Sequence, residues 1–190
     1  FLKKQATGSG KAFFSKLGTS CNIQVKWDAN RHLTEVGSAA MPAARQMEIG
    51  HRYVLGMYEL HEQLLERYPK LLIEGCSGGG GRFDAGMLYY VPQIWTSDDS
   101  DAIERLKIQY GSSMLYPASA IGAHVSDCPN HQTHRTTPFA TRGIVALSGT
   151  FGYELDLNKM TDEERALIRE QVTMYHKSLL SGKKISIGTR

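Results

Sequence analysis

Five short apolar runs, each closed by polar residues or glycine, restrict this chain to a narrow set of folds. The runs are NIQVKWD (22–28), KLLIEG (70–75), VPQIWTSD (91–98), AIGAHVS (120–126) and FGYELDL (151–157). Their Ile, Val, Leu and aromatic residues suit strands, and the closures mark where each strand stops. Longer segments with helical spacing lie between them. Strand alternating with helix argues for an α/β chain built on a parallel sheet.

The clearest helix begins near Pro42 and carries Val54, Met57, Tyr58, His61, Leu64, Leu65 and Tyr68 at three- and four-residue spacing. Proline suits a first helical turn, where its missing N–H costs nothing. A second helix starts at SDAIERLKIQYG, with Asp101 and Glu104 spaced like a capping box. A third is expected around TTPFATRGIVALSG. The last runs from Thr161, again with Glu164 three residues on, through Leu167, Ile168, Val172, Tyr175 and Leu179.

Strand, loop and helix repeated about five times fits part of a (β/α)8 TIM barrel, and an open doubly wound sheet also satisfies it. A whole barrel takes about 250 residues, and the chain has 190. The placement of unusual residues favours the barrel. Lys26, Asp28 and Asn30 close the first run, Cys76 and glycines the second, Trp95 and Asp98 the third, His124 and Ser126 the fourth. Chemically capable side chains at the carboxyl ends of several strands are the barrel arrangement.

Composition narrows the function classes. With 41% hydrophobic and 22% charged residues the chain is of the soluble globular kind. Its 22 basic and 19 acidic residues give a net charge of +3 with no long basic block, which argues against dedicated nucleic-acid binding. No apolar run approaches the about 18 residues of a membrane span, and FLKK does not open a signal peptide. Cys21, Cys76 and Cys128 are too few for a disulfide framework and fit a reducing compartment, favouring the cytoplasm over secretion.

Asp28 and Asp98 are the pair that could carry chemistry. Two carboxylates projecting into one cup can serve as nucleophile and general acid/base on a glycosidic bond. One must then stay ionised while the other holds its proton. Lys26, two residues before Asp28, falls on the same strand face, and a nearby ammonium favours a carboxylate's charged form. The bland alternative makes both aspartates loop carboxylates that cap, or pair with Arg31. Within WTSDDSDA, Asp101 has a cap to form and Asp99 points off the strand line, which leaves Asp98 as the residue expected to end the strand.

CSGGGGRFD (76–84) puts four glycines after a strand, where they permit positive φ and close approach of backbone N–H groups to a ligand. A phosphate loop would continue with Lys-Ser/Thr and a helix; Arg82 and Phe83 follow instead. Sugar hydroxyls met by backbone groups and the Cys76 thiol fit better, and a tight turn without a ligand is the plain alternative. ATGSGKA (6–12) imitates the end of a Walker A loop, but Gln5 and Ala12 stand where glycine and Ser/Thr are required. CPNHQTH (128–134), with His124 upstream, has zinc-like spacing, yet its Asn, Gln, Thr and Arg neighbours make structural histidines the favoured reading and no metal is expected. His51 and His61 are expected as surface or packing residues.

KWDANR, EGCSGGGGRFD, PQIWTSDDSDAIERL, IQYGSSMLYP, HVSDCPNHQTHR and GTFGYELDL closely resemble the family 36 glycoside hydrolases, the α-galactosidases of melibiase and raffinase type. The likeness runs in order from about Asn22 to Leu179. It implies a retaining α-galactosidase acting on terminal galactose of melibiose- or raffinose-type oligosaccharides through a covalent galactosyl-enzyme, without a cofactor. By motif position, Asp28 would be the nucleophile and Asp98 the proton donor and later the base. Lys26 and Asn30 would bond galactose hydroxyls, Trp27 and Trp95 would shape the pocket, and Cys76, Ser77, Gly78 and Gly79 would hold the other side of the sugar.

The resemblance also implies a division of the chain. Residues 1–21 match poorly, 22–180 correspond to the C-terminal half of a barrel (about strands 4–8), and 181–190 start a linker toward a missing C-terminal β domain. The family's paired aspartates from an earlier strand have no counterpart. Expected partners are therefore the rest of the same enzyme and further copies of it, besides the galactoside. Galactosyl transfer of the raffinose-synthase type, and a truncated half-barrel that binds sugar or protein without catalysis, are the alternatives.

Overall fold

The computed structural model describes residues 24–30, 34 and 36–181; the lead segment with its GSGK, together with Cys21, Arg31 and the tail from 182, lies outside the described residues. Among the described residues five strands follow one another: β1 (Gln24–Asp28), β2 (Leu72–Cys76), β3 (Gln93–Ile94), β4 (Gly122–Ser126) and β5 (Thr150–Glu154). β1 pairs with β2 and β2 with β3, both parallel. A parallel bridge between Ile94 and Ile121 passes the arc on to β4, which pairs in parallel with β5. Spatial order therefore equals chain order. This is a parallel α/β arc of the kind that makes part of a TIM barrel.

Five α-helices among the described residues cover the outside: α1 (Ile49–Arg67), α2 (Ala85–Tyr90), α3 (Ala102–Ser113), α4 (Phe139–Ala146) and α5 (Asp162–Ser181). The first helix was expected from Pro42, but Ala43–Glu48 wind as a 3-10 turn and the α-helix starts at Ile49. The Thr161–Glu164 capping box forms in full: Thr161 N donates to Glu164 Oε2 at 3.1 Å and Glu164 N to Thr161 Oγ1 at 3.2 Å. The Asp101–Glu104 box forms only by half. Asp101 accepts from the N–H groups of Ile103 and Glu104, but its own N–H goes to Asp99 Oδ1 at 2.9 Å, and Glu104 turns to Arg135 instead.

One expectation fails in a way that matters. VPQIWTSD was read as strand as far as Asp98, yet β3 ends at Ile94. Trp95 N still reaches Gly75 O at 2.9 Å, but Thr96 O accepts from Gly80 N, and Arg105 takes Thr96 Oγ1 and Ser97 O. With these groups engaged by a glycine loop and a side chain, the segment leaves the sheet. Asp98 thus sits on a fastened loop four residues past the strand.

The outward strand face makes the core. Ile73, Ile94, Leu71 and Val91 pack with Leu64 of α1 and Met87 of α2. Val125 packs with Phe139 and Ala146 of α4, with Phe151 and Tyr153 against them. Each such fully buried side chain contributes roughly 1.5–3 kcal/mol, which anchors the arc to its helices. The other face is left for chemistry.

Candidate active site

Strand alternation sends Val25 and Trp27 outward, into the packing around the first core cluster, and Lys26 and Asp28 to the opposite, open face of β1. Parallel register then sets Lys26 opposite Glu74 and Asp28 opposite Cys76. The Cys76 thiol is only 5% exposed, and its sulfur lies 3.7 Å from Asp98 Oδ1. Burial raises its pKa, and the adjacent Asp28 carboxylate adds to that, outweighing the opposing pull of the Gly79 N–H and Lys26. Cys76 is therefore a neutral thiol, a donor between two acids.

The glycine run wraps this point. Gly78 and Gly79 adopt φ of 55° and 83°, and a Cβ on Gly79 would stand 2.6 Å from Ser97 Cα. Only glycine lets the two loops approach so closely. Asn30 ties β1 to the same turn: its Nδ2 donates to Asp28 Oδ2 at 3.0 Å, and its Oδ1 accepts from Gly78 N at 2.8 Å. Ser77 Oγ donates to Ala29 O at 2.7 Å. The Asp28 carboxylate is oriented by a neighbour that is itself fixed.

Below these groups lies Trp95, 3% exposed. Its ring stacks on His124 with centroids 4.7 Å apart, with Arg105 Cζ at 3.7 Å and Lys26 Nζ at 5.0 Å from its centroid. His124 Nδ1 lies 3.9 Å from Glu154 Oε2. Burial holds the His124 pKa below its usual value, with Arg105 and Lys26 pushing the same way and Glu154 opposing. Burial likewise raises Glu74, whose Oε2 meets the amides of Gln24 and Gln93 at 3.4 Å each while Oε1 is without a hydrogen-bond partner.

A family model described as Melibiase matches residues 8–181, nearly the whole chain. The chain belongs to the Melibiase family. Among curated relatives it is 59% identical over 151 residues to alpha-galactosidase AgaA of Geobacillus stearothermophilus, an alignment covering 80% of this chain and 21% of that protein. It is also 59% identical over 153 residues to alpha-galactosidase Mel36A of Lactobacillus acidophilus, again over 80% of this chain and 21% of the relative. The crystal structure of an AgaA variant in complex with raffinose superposes with a TM-score of 0.83 at 53% identity, over 88% of this chain and 23% of that one. The chain thus spans about a fifth of the length of the curated relatives it matches.

Within this Melibiase chain the expected site residues divide. Asp28, Asn30, Cys76, Ser77, Gly78, Gly79 and Asp98 gather at the carboxyl ends of β1, β2 and β3, and Lys26 and Trp95 lie one step deeper on the same face. Trp27 stands apart: its ring meets His61 of α1 at 5.1 Å, on the helix side of the sheet. His61 is buried there with Nδ1 2.7 Å from Met57 O, and His51 is exposed.

The 128–134 loop serves as a buttress. Buried Asn130 donates to Ser100 Oγ at 3.0 Å, and Thr133 and Arg135 engage Asp101. His131 and His134 are exposed, while His124 goes to the inner face instead. Among the described residues no three His, Cys, Asp or Glu side chains are grouped so as to hold a metal ion. Sequence reasoning overlooked Arg105, Glu74 and Glu154. Glu74 did carry a signal, a lone acid inside the apolar run KLLIEG; Arg105 reads as any surface cation of an amphipathic helix.

Proposed function

We propose that this chain is the acid-bearing part of a retaining α-galactosidase, corresponding to about strands 4–8 of a (β/α)8 barrel whose other strands come from the rest of the same enzyme. The observation that carries the reading is the convergence of Asp28 and Asp98, from different strand ends, on the single Cys76 thiol. The family membership and the raffinose-bound relative support galactosides as the substrate class.

In this scheme the Asp28 carboxylate attacks the anomeric carbon, the glycosidic C–O bond breaks, and Asp98 delivers its proton to the departing oxygen. Water then attacks the same carbon, gives a proton to Asp98 and releases Asp28. Asn30, bonded to Asp28 Oδ2, steadies the attacking carboxylate. Lys26 and Cys76 offer an ammonium and a thiol to galactose hydroxyls, and Trp95, covered by His124 and Arg105, forms the floor beneath them. Ser77, Gly78 and Gly79 set the wall that brings the two acids together.

The test is Asp28→Asn in the complete reading frame that carries this chain, assayed on raffinose and an aryl α-galactoside. Turnover should vanish while the fold and galactose binding persist. Near-normal hydrolysis would end the proposal, and transfer to sucrose in place of water would reassign the protein to galactosyl transfer.

A further inference from the structure

The loop bearing Asp98 is fastened from below by a cation. Arg105, in the first turn of α3, is 2% exposed, with its Cζ 3.7 Å from the centroid of the Trp95 ring. Its Nη1 donates to Thr96 Oγ1 at 3.1 Å and its Nη2 to Ser97 O at 2.8 Å, so the fork grips the two residues that immediately precede Asp98. From the other side Gly80 N donates to Thr96 O at 3.1 Å.

Burying a guanidinium is expensive before compensation, and an apolar side chain could fill the same space at lower cost. Desolvation does lower its pKa to about 10, opposed by the carboxylates of Asp99, Glu154, Asp98 and Glu74. It remains charged near neutral pH. A rigid planar fork on adjacent residues fixes backbone direction in a way that a single ammonium cannot.

We propose that Arg105 is the positioning residue for Asp98, setting the direction in which its carboxyl leaves the loop so that it reaches the glycosidic oxygen. This rests on the assignment of Asp98 as proton donor. Arg105 does not touch the sugar; it acts through Thr96 and Ser97. Its loss should harm only the part of catalysis that needs a well-placed proton.

The experiment compares two leaving groups in the complete protein carrying Arg105→Met or Arg105→Lys. Raffinose releases a poor leaving group that must be protonated, whereas dinitrophenyl α-galactoside releases a phenolate that needs no acid. Arg105→Met should lower kcat/KM on raffinose about 100-fold and on the dinitrophenyl substrate by less than about fivefold. Arg105→Lys, which keeps the charge and loses the fork, should fall between, and it carries the comparison if the Met variant does not fold. Equal losses on both substrates, or no loss on raffinose, would overturn the positioning role. A parent protein that cleaves neither substrate defeats the galactosidase reading itself. An Asp98→Asn variant with equal losses on both removes Asp98 as donor, and the positioning role with it.

Discussion

Gly79 and Ser97 approach so closely that a single methyl group at Gly79 would stand 2.6 Å from the Ser97 Cα and 3.1 Å from its nitrogen. The obstacle is backbone, which has no flexible end to swing away, and Gly79 also holds φ at 83°. Gly79→Ala should therefore destabilise by about 2–4 kcal/mol, combining left-handed strain with overpacking. Because Ser97 adjoins Asp98, activity should fall further than stability alone explains. Chemical denaturation paired with kcat/KM on raffinose checks both.

Cys76 should resist alkylation in the native protein. Its thiol is buried, and burial with the Asp28 carboxylate holds its pKa above the ordinary range. Iodoacetamide should modify it only after denaturation, as peptide mapping would read. Cys76→Ser, which keeps a donor toward Asp98, should retain more activity than Cys76→Ala.

His61 and His124 are both held below the usual histidine pKa, each chiefly by burial. In the unfolded chain they protonate near about pH 6.5. Between that value and their lower native pKa values the unfolded state binds more protons, so stability is full above about pH 6.5 and declines as the pH falls through the native values. Thermal melts from pH 8 to 5 should show the decline, and His124→Gln should flatten it. An unchanged slope in that variant would clear His124 of the effect.

Glu74 has the opposite sign. Burial raises its native pKa, so the stability linked to it is present below the unfolded value and lost as the pH rises through the native one. At neutral pH a buried carboxylate with an unpartnered Oε1 is a cost. Glu74→Gln should stabilise by about 1 kcal/mol at pH 7 and by less at pH 4. Denaturant midpoints at the two pH values decide it.

Asp101 is 1% exposed, caps α3 and bonds Thr133 Oγ1 at 2.6 Å and Arg135. Burial alone would raise its pKa, but these hydrogen bonds prevail and hold it below the usual carboxylate value. Asp101→Ala removes a cap and leaves Thr133 and Arg135 without their shared acceptor, for a loss of about 1–3 kcal/mol. The loss should shrink below about pH 4, where the unfolded carboxylate also takes up its proton.

The parts of this fold legible in the sequence were those written in local patterns. Lys26 and Asp28 share a face because strands alternate, and Thr161 with Glu164 spells a capping box that forms as read. What could not be read depended on partners distant in sequence. β3 stops early because Gly80 and Arg105 claim the backbone and side chain of Thr96 and Ser97. α2 was missed because six residues carry too little periodicity beside a glycine run; its cap, Asp84, accepts from Met87 N, and Tyr58 reaches it from α1. Arg105 has helical spacing like any exposed cation, and only the position of Trp95 reveals its burial.

Trp95, pressed against an imidazole and two cations, is one of just two indoles in the chain, and Trp27 is the other, at the end of β1. Of the two indoles, Trp95 therefore reports from beneath the two acids and Trp27 from the helix side of the sheet. On the proposed galactosidase reading, galactose binding should alter the Trp95 emission, and a titration followed at the tryptophan wavelength would read occupancy without any attached dye.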